Sequence, residues 1–194
     1  MFLSTEMVEP SQRTEAWREI TRPFFETCPK ARTGSLAGSL TSHAVGTVLI
    51  GPTTFNHQQY IRDRRLLVQS GLDHYFVQLF VAGSLQGDCE GMAISVEPGD
   101  ICVFDLGRTF TSRVTSGSTI SAILPRARVD RAANGQRLHG TVLKAGAPVT
   151  RLLADFLISL SKISAGMKCE DALAVEDAAI ALLVAGLSRV RALD

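Results

Sequence analysis

Four histidines, four cysteines and a few paired carboxylates are the side chains with which this chain could do chemistry. A catalytic metal in a small β-barrel needs closely spaced ligands: two histidines one residue apart, a nearby glutamate and a later histidine. His43, His57, His74 and His139 are all distant in sequence, and none lies between Tyr75 and Leu138. Folding can bring His57 and His74 together, but ligation needs a third and fourth donor. No metal and no cofactor is therefore expected. Cys28, Cys89, Cys102 and Cys169 form no C-x-x-C pair and read as reduced structural thiols. Cys102 sits in an apolar strand, which favours a buried, inert thiol. Glu6/Glu9, Glu170/Asp171 and Glu176/Asp177 fall in a tail or on helix surfaces, where solvated faces and caps explain them. Ser159-x-x-Lys162 lacks the companion motifs of a serine acyl-enzyme. No G-x-S-x-G, Walker A or G-x-G-x-x-G sequence occurs. The expectation is a protein that is not an enzyme, with a metal-dependent barrel oxygenase or isomerase, or a stand-alone ligand-binding module, as the alternatives.

What remains is a pocket. Strand alternation places His74, Phe76, Gln78 and Phe80 on one face and Tyr75, Val77, Leu79 and Val81 on the other. The second set is wholly apolar and suits packing under helices. The first mixes aromatic walls with polar handles, as ligand cavities do, although polar groups satisfied at a barrel mouth give the same pattern. Phe104 is expected to point the same way. Trp17, the single tryptophan, is a packing anchor and a candidate wall. The ligand-binding candidates are thus His74, Phe76, Gln78, Phe80, Phe104 and Trp17.

The elements that must position these residues follow from pattern. Thr14 to Phe25 has the i+3 and i+4 apolar spacing of a short amphipathic helix, capped by Thr14 or Ser11. From Gly34 to Leu124 the signals are short strands: Gly34–Leu40, Ala44–Ile50 ended by Gly51-Pro52, His57–Val68, His74–Val81, Leu85–Cys89, Met92–Val96, Ile101–Leu106, Phe110–Val114 and Thr119–Leu124. Glu90-Gly91 marks a hairpin, and Pro98-Gly99-Asp100 a tight turn in which glycine supplies a positive φ. Regularly spaced short strands imply an antiparallel sandwich or barrel. Pro125–Ala133 reads as a short helix or crossover, and Leu138–Ala147 as a linker. Two amphipathic helices follow. Pro148 suits the first turn of one, and Gly166 stops it. Asp171 caps the other, with Arg189 and Arg191 near its end. Leu152, Leu153, Phe156, Leu160, Leu182 and Leu183 are the candidate dimerisation residues.

With 194 residues, 45% hydrophobic and 20% charged, the chain can hold one good-sized domain or a domain with an appendage. The reading is residues 1–137 as helix and barrel and residues 138–194 as linker and helical hairpin, together one compact unit. A formal net charge of +1 is not the footprint of a nucleic-acid binder. Arg62, Arg64 and Arg65 read as a solvated or paired strand end. The N-terminus lacks a signal-peptide pattern, and the run Ala178–Leu187 is too short for a bilayer. No membrane association and a cytoplasmic location are expected.

The ordered set Ile61-Arg62-Asp63-Arg64-Arg65, Asp73-His74-Tyr75-Phe76-Val77-Gln78-Leu79, Gly83, Gly91, Glu97-Pro98-Gly99-Asp100, Phe104-Asp105 and Leu124-Pro125-Arg126 resembles the N-terminal regulatory, AraC-binding-like domain of AraC/XylS-family transcription regulators. The resemblance runs from about Trp17 to Leu193. It implies a mainly β fold with α: a cupin-like antiparallel barrel, preceded by a short helix and followed by an antiparallel helical hairpin. It also implies a small-molecule effector in the barrel, a homodimer, and DNA binding only through a C-terminal helix-turn-helix domain that this chain lacks.

Overall fold

In the computed structural model, which describes residues 1–29 and 34–190, two antiparallel sheets face each other across an aromatic core. The larger sheet contains β1 (Phe2–Ser4), β3 (Gly38–Thr41), β4 (His43–Val45), β5 (Val48–Phe55), β7 (His74–Ala82), β10 (Ile101–Asp105), β12 (Gly117–Pro125) and β13 (Thr141–Leu143). Its order is β1-β3-β5-β12-β7-β10-β13, with β4 paired to β5 beyond β3. The smaller sheet contains β2 (Glu26–Pro29), β6 (Gln58–Arg62), β8 (Leu85–Cys89), β9 (Met92–Val96) and β11 (Phe110–Val114), in the order β2-β6-β11-β8-β9. The helices are α1 (Arg13–Thr21), α2 (Arg64–Ser70), α3 (Arg126–Ala133), α4 (Pro148–Ile163) and α5 (Cys169–Val190). The mainly β class with an N-terminal helix and a C-terminal helical hairpin is as expected. The barrel is made of two facing sheets; no hydrogen-bonded ladder joins them among the described residues.

Central β7 explains the layering. Tyr75, Val77 and Leu79 pack outward with Leu153, Leu157, Leu160, Ile180 and Leu183 of the helices. Phe76 and Phe80 pack inward with residues of the smaller sheet. Seven of its nine residues are buried or nearly so, because both faces are covered; Val81, expected under the helices, is exposed. Each fully buried leucine or valine contributes about 1.5–3 kcal/mol, so this two-sided burial is the main favourable term.

The turns follow local chemistry. Asp100 N–H donates to the Glu97 carbonyl at 3.0 Å, and Gly99 has φ +89°. Proline then glycine at the two central positions is a type II turn. The Asp100 carboxylate accepts from Lys144 (2.8 Å), Ala145 N–H (2.9 Å) and Glu97 N–H (3.1 Å), tying the turn to the segment before α4. Burial opposes its ionisation, but these three donors outweigh burial and hold the carboxyl below its ordinary range.

Several elements depart from the sequence reading. His57–Val68 is not one strand: β6 stops at Arg62, and Asp63 accepts from Leu66 N–H at 2.8 Å to start α2, which Gly71 ends at φ +57°. Of the two readings for the basic run, solvated or paired, Arg62 at the end of β6 is buried and hydrogen-bonded, whereas Arg64 and Arg65 are exposed in α2. β5 runs through Gly51-Pro52. Those two residues fall between the segments paired to β3 and β4, so the missing proline N–H and the bare glycine Cα meet the crossing at Thr41. The Leu138–Ala147 linker contains β13, and the Pro125–Ala133 segment is α3. Neither Ser11 nor Thr14 caps α1: Ser11 lies in a short 3-10 turn, and Thr14 accepts from Leu36 N–H. Asp171 lies in the first turn of α5, which begins at Cys169. Glu176 is no solvated carboxylate: it is 1% exposed and accepts from Thr47 N–H (3.1 Å), Thr47 Oγ1 (2.5 Å) and Arg128 (2.7 Å), fastening α5 to the β4–β5 turn and to α3. Arg191 and the Arg189 side chain lie outside the described residues.

The helical hairpin faces inward with residues assigned above to dimerisation. Leu153, Leu160 and Leu183 are buried in the chain's own core, and Phe156 and Leu182 pack at its edge. On α4 the outward stripe is Leu152 and Ile163, at 59% and 60% exposure, flanking the half-buried Phe156. The inward a/d-type positions fill the groove over the sheet and leave a second, narrower apolar stripe uncovered.

His139 gives a pH signature. It is buried; Asp105 N–H donates to its Nδ1 (3.1 Å), so its proton sits on Nε2 and faces the Thr109 carbonyl (3.1 Å). Burial holds its pKa below the ordinary value, against the Thr109 bond and the charges of Asp105 and Glu90. The unfolded chain therefore binds the proton first, at about pH 6.5. This contribution to stability is complete above that pH and is lost as pH falls toward the depressed folded value. Urea midpoints measured from pH 7.5 to 5 are expected to fall, and His139→Gln, which keeps an acceptor for Asp105 N–H, to flatten the slope.

Candidate ligand site

Between α1, the segment Pro23–Phe25 and the inner face of the larger sheet lies a cavity of about 190 Å³. Its walls are aromatic. Phe24 stacks on Phe76 (centroids 5.5 Å apart, planes at 10°), Phe25 leans on Tyr60 at 4.1 Å, and Phe55 meets Tyr60 edge-on at 6.4 Å. Trp17, Ile20, Leu40 and Ile123 add to the apolar lining, with Met1, Leu3 and Leu49 toward its edge. Offset and edge-on contacts of this kind fix ring orientations as well as burying area.

Sequence logic places each wall. The apolar stripe of α1 turns Trp17 inward to 1% exposure, and its Nε1 donates to Gln58 Oε1 at 2.8 Å. Alternation along β6 turns Gln58, Tyr60 and Arg62 inward together. Arg62 then holds the mouth segment. Its Nη1 donates to the carbonyls of Pro23 (3.1 Å) and Phe24 (2.6 Å), its Nε to Leu106 O (2.8 Å), and its Nη2 to Ser70 Oγ (2.7 Å). Burial lowers the pKa of this guanidinium, and Asp105 opposes the shift. Asp105 itself is engaged by Arg126, which also reaches Asp73 and lies over the Tyr75 ring at 4.9 Å.

Polar handles are few and several are unspent. Thr53 Oγ1, in the lining, and Gln58 Nε2, which lies outside the lining, are buried without a partner among the described residues. The Tyr60 hydroxyl, inside the aromatic cluster, makes no hydrogen bond to them either, and burial pushes its pKa far above the ordinary tyrosine value. Gln78 Nε2 makes one long bond, 3.4 Å, to Ser121 Oγ. Buried polar groups left unpaired cost stability, and such groups gathered in a cavity are what a bound molecule satisfies.

Of the candidates named from sequence, Trp17, Phe76 and Gln78 line this cavity. His74 opens β7 outside the lining. Phe80 and Phe104 are fully enclosed in the inner core, Phe104 with its ring 4.5 Å from that of Phe110. Sequence reasoning missed Phe25, Phe55, Tyr60 and Thr53. The available signal was the short inward alternation of residues 58, 60 and 62, which α2 cuts off. A larger, open depression of about 700 Å³ lies between β9 and the α3–β13 loop. Its Arg137 and Lys144 already pair with Glu90 and Asp100, and it holds no aromatic wall, so it is the weaker site. Among the described residues, no three His, Cys, Asp or Glu side chains gather as a metal ion would need. No described helix is long and apolar enough to cross a membrane.

The whole architecture is shared. Over 97% of this chain it superposes on 69% of the AraC-like transcriptional activator CuxR, with a TM-score of 0.88 at 19% identity. ToxT from Vibrio cholerae O395 aligns over 76% of this chain and 55% of its own, with a TM-score of 0.45 at 11% identity. No curated protein matches. The AraC-binding-like domain family matches residues 22–188, which takes in both sheets apart from β1, the cavity mouth and most of the helical hairpin. The chain belongs to the AraC-binding-like domain family.

Proposed function

We propose that this domain senses a small-molecule effector in the cavity behind α1 and dimerises through its helical hairpin. In this role it controls a DNA-binding region outside these residues, as part of an AraC-type transcription regulator in the cytoplasm. Residues 1–137 would supply the sensor and residues 138–194 the coupling hairpin, acting as one unit. The observation that carries the reading is the cavity itself: an aromatic enclosure between helix and sheet, with polar groups that have no partner among the described residues. An effector shifts the arrangement of α1, sheet and hairpin only by its differential affinity for two states. The exposed α4 stripe around Leu152 and Phe156 offers the dimer face, in place of the buried Leu153, Leu160 and Leu183.

The test pairs sedimentation with thermal melts. A dimer in the micromolar range, with a melting temperature raised in proportion to the logarithm of ligand concentration once binding saturates, is the expected result. A monomer at hundreds of micromolar would remove the dimerisation role. A cavity that no small molecule or xenon enters would remove the sensing role.

A further inference from the structure

We infer that the cavity takes an uncharged, single-ring aromatic molecule carrying one hydroxyl or comparable hydrogen-bonding group. This rests on reading the cavity as the effector site. Size sets the first limit. An apolar cavity of about 150 Å³ accommodates benzene, so 190 Å³ admits one ring with a small substituent and excludes nucleotides and long acyl chains.

The walls set the second. Flat surfaces presented by Trp17, Phe24, Phe55 and Phe76 favour a ring over a branched aliphatic chain, because stacked and edge-on partners add to area burial. Charge sets the third: no acidic or basic side chain among the described residues lines the cavity, and the Met1 ammonium at its edge is exposed and donates to the Ser42 carbonyl (2.8 Å). A carboxylate or ammonium buried there would lose hydration without an ion partner, which is costly. A sugar of similar volume would bury most of its five or six hydroxyls against a mainly apolar lining.

The unspent groups set the fourth. Tyr60 and Thr53, on strands of opposite sheets, each offer a hydroxyl to one polar substituent, and Gln78 offers an amide donor held only by its long bond to Ser121. One or two hydrogen bonds therefore complete the site, and a bare hydrocarbon leaves them unmade.

The experiment titrates the whole chain with phenol, benzene and benzoate, followed through the methyl resonances of Ile20, Leu40 and Ile123. Xenon-pressurised samples serve as an independent probe of the cavity. Tyr60→Phe, which deletes only a hydroxyl without a hydrogen bond among the described residues, is the variant. Expected is phenol binding tighter than both benzene and benzoate, with phenol affinity reduced about three- to tenfold by Tyr60→Phe, the worth of one hydrogen bond. Benzene affinity should be unchanged by that variant. Benzoate binding as tightly as phenol, or phenol affinity indifferent to Tyr60→Phe, would overturn the ligand class and leave the sensing role standing. Xenon entry without phenol binding would do the same. If neither xenon nor any ring compound moves these resonances, the cavity is filled in solution and the sensing role falls with the ligand class.

Discussion

Leu153→Asp is expected to abolish folding, while Leu152→Glu, one residue earlier, leaves a folded chain that no longer dimerises. Leu153 is 2% exposed in the outer core, against the helix-facing side of the larger sheet. Replacing it removes a leucine worth about 2–5 kcal/mol in such a site. It also strands a carboxylate among the apolar residues of that core. The sum reaches the about 5–15 kcal/mol that holds a domain together. Leu152, 59% exposed, carries no such load. Far-ultraviolet circular dichroism and sedimentation on the two variants separate the roles. A cooperative, near-native melt for Leu153→Asp would mean that the inward face of α4 is misassigned. A persistent dimer for Leu152→Glu would place the dimer face elsewhere.

Arg62→Leu has the second largest expected effect. One guanidinium donates to three backbone carbonyls and a serine hydroxyl, drawn from β6's neighbours on three sides: the α1–β2 segment, the β10–β11 loop and α2. Leucine leaves the buried Leu106 carbonyl and three part-buried acceptors without their charged donor. At about 1.5–3 kcal/mol for each such bond, less what water restores at the part-buried ones, the loss is about 3–5 kcal/mol. For a chain of this length that is a fall in melting temperature of roughly 10 °C, at 2–4 °C per kcal/mol. Arg62→Lys should recover only a fraction, since a single ammonium cannot reproduce a planar fork of five donors. Differential scanning calorimetry reads both. Because Pro23 and Phe24 form the cavity mouth, ligand affinity should fall with stability. A loss of stability that spares affinity would show that the mouth is held by other contacts.

Much of this fold was legible in the sequence where local and global demands agree. The strands from His74 to Leu124 carry apolar runs bounded by glycine, and the Pro98-Gly99-Asp100 turn encodes its own geometry. The helical hairpin announced itself through periodicity, but periodicity shows only that a stripe exists. It gave no sign that Leu153 turns inward and Leu152 outward, a matter of one residue on a helix with more than one apolar stripe. The cavity was half visible. Trp17, Phe76 and Gln78 come from elements with clean alternation or spacing. Tyr60 and Thr53 come from β6, whose five residues run straight into a capped helix, and from β5, whose proline reads as a strand end. Glu176 was illegible for another reason: its partners Thr47 and Arg128 are far away in sequence, and a buried acid among surface acids has no local mark.

β7 belongs to two cores at once, Phe76 and Phe80 to one and Tyr75, Val77 and Leu79 to the other. Its neighbours β5, β10 and β12 divide in the same way, so one layer of backbone separates the cavity and inner core from the helices. The two halves of the molecule therefore share a boundary that neither can lose alone, and unfolding is cooperative across it. Severing the chain after residue 137 would not release a self-sufficient barrel: it would bare Val77, Leu79, Ile101 and Val103 to water, turning a load-sharing wall into an adhesive surface.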